Sequence, residues 1–135
     1  MVFNWNENLA TGNPIIDAQH QQLFKAINDL LEACKSGRGQ TSLDSTMRFV
    51  IDYTHKHFAD EEKLQQQYHY PGYPNHKRLH DDFKVSMEEL GKKLKAEGPT
   101  PVLTTKITAS TGDWLIKHIR DEDKKVAAHI HEKSK

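Results

Sequence analysis

The sequence contains a single cysteine, Cys34, and it has no long hydrophobic run. One cysteine cannot form a disulfide within the chain, which is typical of proteins in reducing compartments. No apolar segment approaches the roughly 18 residues that cross a bilayer, and the first residues lack the basic and then apolar order of a signal peptide. We therefore expect a cytoplasmic protein that does not insert into membranes.

An excess of charge of either sign is also missing, because 19 Lys and Arg residues balance 19 Asp and Glu residues. A balanced surface has no strong field to attract nucleic acid or an anionic membrane. Nucleic acid is therefore not an expected partner, and the sequence identifies no protein partner. A length of 135 residues suits one hydrophobic core, so residues 1–135 are expected to form a single domain.

Glycine and proline are scarce and clustered, and they divide the chain into four long segments. The clusters fall at residues 12–14, 37–39, 71–74 and 98–101. Each segment repeats apolar residues at steps of three and four, the period of a helix with one buried face. The connections are short, and no segment alternates with the period of a strand. The pattern predicts an all-α fold, an up-down-up-down antiparallel four-helix bundle with an irregular N-terminal segment.

Each predicted helix carries one stripe of residues that faces the other helices. The four stripes are His20, Leu23, Phe24, Ile27, Leu30, Leu31 and Cys34; Leu43, Met47, Val50, Thr54, His57, Glu61, Leu64 and Tyr68; His76, His80, Phe83, Met87, Leu90 and Leu94; and Leu103, Ile107, Ser110 or Thr111, Trp114 and His118. Histidine and carboxylate side chains interrupt every stripe. Burying such a group without a partner costs several kcal/mol, so something must compensate them.

These polar interruptions are expected at one level of the bundle. They occupy the start of the first and third helices, the last third of the second and the region near the end of the fourth: His20, His57, Glu61, His76, His80 and His118. Imidazoles with carboxylates suit divalent transition metals, and six inward donors exceed the needs of one tetrahedral zinc ion. Two metal ions are therefore expected. The remaining histidines are interpreted as solvated surface residues, with the last two in a polar tail: His55, His69, His129 and His131.

Two common classes of metalloprotein are disfavoured by motifs that the chain lacks. It has no H-E-x-x-H motif of zinc proteases and no Glu-x-x-His motif of carboxylate-rich di-iron enzymes. The pair His57 and Glu61 instead places one nitrogen and one oxygen donor four residues apart on one helical face.

Four spaced elements resemble the hemerythrin family in its bacterial single-domain form. They are the histidine of DAQHQQLF, followed by HFADE, HKRLH and HIRDED, and the resemblance extends over essentially the whole chain. It implies a pair of iron ions, Fe2+ or Fe3+, joined by an oxo or hydroxo bridge. The implied ligands are His76, His80 and His118 on one iron, His20 and His57 on the other, and Glu61 and Asp123 bridging both.

Asp123 is the ligand that helix geometry alone does not favour. It follows His118 by five residues, about 140° around an ideal helix, whereas Glu122 at four residues lies nearly in line. Either the helix loosens there or Glu122 takes the position. The spacing in the family favours Asp123.

The resemblance also implies reversible binding of dioxygen, for transport, storage or local supply, at a position that the iron with two histidines leaves vacant. The residues that match the family's oxygen pocket are all apolar: Leu23, Phe58, Trp114, Leu115 and Ile119. Because no protonatable group is among them, the pocket favours binding over turnover, and we expect no enzymatic activity.

Three alternatives remain open at the level of the sequence. The first is an oxygen or redox sensor that acts through a partner. The second is an enzyme of the peroxidase or nitric oxide reductase type, and the third is a metal-free helical interaction module. Phe3 and Trp5 precede the first helix in a segment that covers one side of the bundle or controls access to it.

Overall fold

The glycine and proline clusters at residues 12–14, 71–74 and 98–101 lie where helices begin or end, as the sequence predicts, and the cluster at 37–39 lies outside the described residues. The computed structural model describes residues 3–36 and 40–134. Three helices are α1 (Pro14–Lys35), α2 (Gln40–Gln67) and α3 (Tyr73–Glu97), and a short 3-10 helix, Glu7–Leu9, precedes them. The fourth helix spans residues 101–133 as α4 (Pro101–Thr108), α5 (Trp114–His118) and α6 (Lys124–Lys133), joined by the π-helical segments Ala109–Asp113 and Ile119–Asp123.

The helices form the predicted up-down-up-down antiparallel bundle. Helix α2 packs between α1 and α3, and the fourth helix closes the bundle against all three. Local signals fix where helices start. The side chain of Asn13 accepts hydrogen bonds from two backbone N–H groups of α1, and the Thr100 hydroxyl accepts one from Leu103 N at 3.2 Å. Pro14 and Pro101 follow these caps at the first helical position, where a missing N–H costs nothing.

Helix α2 ends in a Schellman motif built on an unusual residue. Tyr70 N donates to Gln65 O at 2.8 Å, and His69 N donates to Gln66 O at 3.2 Å. His69 has φ 53°, the left-handed conformation that glycine normally supplies at this position. The chain therefore turns sharply into the loop that leads to α3.

The polar tail expected after His118 is instead the last part of the fourth helix. Val126, Ala127 and Ile130 are buried there, so His118 lies within the helix rather than near its end. His129 is half-buried and donates from Nε2 to the Tyr68 carbonyl at the end of α2, at 2.7 Å. The prediction of a solvated surface residue was therefore wrong for His129. The other three histidines outside the stripes are exposed as predicted: His55, His69 and His131.

The buried face of each helix follows the predicted stripe closely. In α3 the buried residues are the predicted six, and in the fourth helix Thr111, rather than Ser110, is the buried alternative. Toward the end of α2 the pattern differs, because Gln65 is fully buried whereas Leu64 and Tyr68 of the predicted stripe are only half-buried. Within residues 3–36 and 40–134, no helix has both the length and the apolar character that crossing a membrane demands. The cytoplasmic location stays a prediction.

The N-terminal segment covers one side of the bundle and is fastened to α1. Phe3 N donates to Asn28 Oδ1 at 2.8 Å, and Asn28 Nδ2 donates to Phe3 O at 2.7 Å. The Phe3 ring is buried against Gly112 in the first π-helical segment. A Cβ atom on Gly112 would lie 2.1 Å from Phe3 Cε2, so only glycine leaves room for the ring.

We predict that Gly112→Ala and Phe3→Ala are strongly coupled in a double-mutant cycle. Gly112→Ala alone should destabilise the fold by about 2 kcal/mol or more, because its methyl group collides with the ring. In a Phe3→Ala background the same change should be neutral or stabilising by up to about 1 kcal/mol, because alanine favours helix. Urea unfolding of the four proteins measures this reversal. Additive changes in the free energy of unfolding would show that the Phe3 ring does not pack against Gly112.

Candidate metal centre

Seven polar side chains from all four helices meet inside the bundle at the level predicted from the sequence. Each is at most 4% exposed: His20, His57, Glu61, His76, His80, His118 and Asp123. Helix α1 contributes His20, and α2 contributes His57 and Glu61. Helix α3 contributes His76 and His80, and the fourth helix contributes His118 and Asp123. The structure therefore brings together all seven residues that the family resemblance implies as ligands. Their role as ligands remains a proposal.

The second π-helical segment explains how Asp123 reaches this cluster. A π-helical turn closes after five residues rather than four, so His118 and Asp123 fall on the same side of the helix. His118 Nε2 lies 3.1 Å from Asp123 Oδ1. Glu122, the competing candidate, is half-buried and belongs to neither group of converging donors. The loosened helix anticipated from the spacing is thus present.

The donor atoms form two groups that share two carboxylates. One group is Glu61, His76, His80, His118 and Asp123, and the other is His20, His57, Glu61 and Asp123. Within each group, one ligand atom from every residue lies within 4.8 Å of all the others. Two cations bound at these groups would lie side by side, with Glu61 and Asp123 between them.

The spacing of the imidazole nitrogens around His118 is compatible with ligands of one metal ion. His118 Nε2 lies 3.0 Å from His76 Nε2 and 3.2 Å from His80 Nε2. Neighbouring ligands of an octahedral ion with metal–nitrogen bonds of about 2.1 Å are about 3.0 Å apart. Both separations from His118 Nε2 therefore match those between adjacent ligands of one octahedral ion.

Several buried donor atoms point into the cluster without a hydrogen-bond partner. His20 Nε2 lies 2.9 Å from Asp123 Oδ2, yet neither atom has hydrogen-bond geometry with any group. His57 Nε2 and Glu61 Oε2, which are 3.7 Å apart, are also unpartnered. Buried polar atoms in native proteins are nearly always satisfied. Atoms that approach closely without aligning on one another are typical of ligands directed at a common ion.

The two shared carboxylates stay ionised although both are fully buried. Burial opposes the charge of Asp123, but His118, His20 and His76 outweigh it and hold its pKa well below the usual range. Burial and the Asp123 charge oppose ionisation of Glu61, but His76 and His80 lower its pKa. Two buried negative charges at one place need positive charge nearby, which bound metal cations would supply.

The imidazoles respond to these charges in opposite ways on the two sides of the cluster. Burial opposes protonation of His76, but Asp123 and Glu61 outweigh it and raise the pKa to about 9. Where the three nitrogens meet, the site therefore favours positive charge. At His57, burial dominates over the attraction of Glu61 and lowers the pKa to about 4, so this ring is neutral near pH 7.

A chain of side chains fixes the tautomer of His57. Lys56 Nζ, 3.0 Å from Asp60 Oδ2, holds the pKa of Asp60 below its usual range, so this carboxylate only accepts hydrogen bonds. Gln19 Nε2 donates to Asp60 Oδ2 at 2.9 Å, which turns Gln19 Oε1 toward His57. His57 Nδ1–H must then donate to that oxygen at 2.7 Å. The Nε2 lone pair is left free to bind a metal ion.

Three supporting residues were missed at the sequence level: Gln19, Glu62 and Gln65. Glu62 Oε2 accepts a hydrogen bond from His80 Nδ1 at 2.8 Å, and Gln65 Nε2 lies 3.4 Å from Glu61 Oε1. The four-residue spacing from Glu61 to Gln65 was a usable signal, because it continues the buried stripe. Gln19 and Glu62 adjoin ligand candidates in the sequence, but adjacency does not reveal which ring they face.

The residues predicted to line an oxygen pocket lie in the large core beside the cluster. Leu23, Phe58, Leu115 and Ile119 are fully buried, and Trp114 is half-buried. The Phe58 ring stacks on the His80 ring with centroids 3.8 Å apart and planes inclined by 1°. The Trp114 ring stacks on the His118 ring at 4.4 Å and 12°. These two aromatic side chains therefore hold the imidazole planes of two candidate ligands.

Comparison with known proteins agrees with this arrangement. Residues 11–130 match the family described as "Hemerythrin HHE cation binding domain". A bacteriohemerythrin of Stenotrophomonas maltophilia (strain R551-3) is 30% identical over 133 residues, covering 95% of this chain and 84% of the relative. A myohemerythrin of Sipunculus nudus is 32% identical over 119 residues, covering 88% and 86%. The crystal structure of a wild-type hemerythrin has a TM-score of 0.83 at 26% identity, covering 96% and 98%.

We predict that Asp123→Asn loses bound metal whereas Glu122→Gln retains it. The amide of asparagine is neutral and binds metal weakly, so each donor group loses one of its two shared anionic carboxylates. Metal analysis after anaerobic loading with ferrous ions and gel filtration measures the difference. An equal loss of metal from both variants would show that Asp123 is no more important for binding than Glu122.

We also predict that ferrous ions raise the thermal stability of the protein through His118 but not through His55. Free metal at 100 times the dissociation constant stabilises the fold by about 2.7 kcal/mol per site. Anaerobic thermal unfolding should show a metal-dependent rise in Tm for His55→Ala and little or none for His118→Ala. A similar rise in both variants would mean that the metal binds elsewhere.

Proposed function

Because the chain belongs to the hemerythrin family, we propose that it holds two iron ions and binds dioxygen reversibly beside them. The observation that supports this most strongly is the pair of buried donor groups that share Glu61 and Asp123. A single buried ion would not need two shared carboxylates and five imidazoles. The bacteriohemerythrin and myohemerythrin relatives add support, because the matches extend over most of this chain.

The residues divide between the two ions according to the two donor groups. Three imidazoles, those of His76, His80 and His118, hold one ion, and those of His20 and His57 hold the other. When bound, the ferrous pair supplies the electrons on which reversible dioxygen binding depends. The half of the site with two imidazoles has one protein donor fewer, so the small ligand is expected there.

The apolar wall beside the cluster favours reversible binding of oxygen over its chemical turnover. Leu23, Phe58, Leu115 and Ile119 are fully buried and exclude bulk water from this side. None of them donates or accepts a proton. Without a general acid on the wall, loss of reduced oxygen by protonation is slow, which favours binding and release over turnover. Carriage, storage or local supply of oxygen is therefore the function that we infer, and we expect no enzymatic activity.

Visible spectroscopy on iron-loaded protein tests this proposal. We expect two iron ions per chain, a nearly colourless reduced form, a coloured form after oxygen is added and loss of that colour when oxygen is removed. His57→Ala should abolish the colour change, because it removes one of the two imidazoles on the oxygen side. His55→Ala, an exposed histidine on the same helix, is the matched control and should retain it.

A colour that never reverses would contradict reversible binding. Steady product formation from peroxide or nitric oxide, with an added reductant and at many turnovers per chain, would replace the carrier with an enzyme. A protein that takes up zinc but no iron would contradict both interpretations.

A further inference from the structure

The two donor groups are supported by side chains of different charge. In the group with three imidazoles, His80 Nδ1 donates to a carboxylate oxygen, Glu62 Oε2, at 2.8 Å. In the group with two imidazoles, His57 Nδ1 donates to a neutral amide oxygen, Gln19 Oε1, at 2.7 Å. The two hydrogen bonds are nearly equal in length, so they differ mainly in the charge of the acceptor.

A carboxylate partner changes an imidazole more than an amide does. The hydrogen bond from His80 to Glu62 is charge-assisted, so the Nδ1 proton is drawn toward the carboxylate and electron density rises at Nε2. A more electron-rich nitrogen stabilises the ferric state more than the ferrous state of a bound iron. The side chain of Glu62 is only 13% exposed, so water and salt screen this effect weakly.

We propose that Glu62 is a positioning residue that lowers the reduction potential of the iron bound by His76, His80 and His118, whereas Gln19 leaves the other iron easier to reduce. The inference rests on the proposed function, because it assigns unequal roles to the two irons of that site. Reduction adds one electron to each ferric ion from an external reductant and breaks no covalent bond. The Nδ1 proton stays between His80 and Glu62 throughout.

The arrangement of α2 explains why Glu62 is available for this role. Glu62 follows the shared ligand Glu61 directly, so the two carboxylates point about 100° apart around the helix. Glu61 faces the centre of the bundle, and Glu62 faces the α2–α3 seam where His80 lies. One helix therefore supplies both a ligand to the metals and an acceptor behind another ligand.

Anaerobic redox titration of the iron-loaded protein tests the proposal with Glu62→Gln, which removes the charge and keeps the shape. The ferric-to-ferrous ratio of one iron at a fixed potential should fall about tenfold, which corresponds to 59 mV for a one-electron couple. Asp82→Asn removes a similar charge from an exposed position two residues after His80. This control should titrate like the unaltered protein.

Proton NMR of the zinc-loaded, diamagnetic protein provides a second measurement that needs no iron. The His80 Nδ1 proton should resonate far downfield in the unaltered protein and move upfield in Glu62→Gln, because an amide is a weaker acceptor. Equal potentials for Glu62→Gln and Asp82→Asn, or an unshifted His80 proton, would overturn the inference. Irreversible oxygen binding would instead contradict the proposed function, and it leaves the anaerobic titration interpretable.

Discussion

Two carboxylates buried at the centre of a helix bundle are the constraint on which the rest of the structure depends. Glu61 and Asp123 are fully buried and stay ionised, and burying unpaired charge in a protein interior is prohibitive. Five imidazoles surround them, but several facing atoms are not aligned as hydrogen bonds. Cations between the donors would satisfy both the charge and the geometry. The cluster also divides the apolar interior, with Ile16, Val126 and Ile130 packed apart from the large core.

The fourth helix departs from regular α-helix at two places. Its second π-helical segment brings Asp123 to the same side as His118. In a regular α-helix, two residues five positions apart would point in different directions. Its first π-helical segment contains Gly112, whose missing side chain admits the Phe3 ring of the N-terminal segment. Both departures from regular helix therefore serve identifiable contacts. One supports the site, and the other holds the covering segment against the bundle.

Helical periodicity predicts the fold and the level of the site well, because burial follows the stripe of each helix. The six buried residues of α3 are an example. Periodicity assumes regular α-helix, so by itself it favours Glu122 over Asp123, and only the family spacing corrects this. It also misjudges α2 beyond Glu61, where the buried residue is the polar Gln65 rather than Leu64. The supports Gln19 and Glu62 depend on side-chain directions between helices, which no single-helix pattern contains.

We propose that these donors hold two metal ions side by side. X-ray absorption spectroscopy at the iron edge, on the reduced and iron-loaded protein, measures this directly. A two-metal site predicts imidazole nitrogens in the nearest shell and a second iron as a scatterer at about 3.5 Å, the separation typical of such sites. A spectrum with nitrogen and oxygen neighbours but no iron neighbour, at full metal loading, would contradict it.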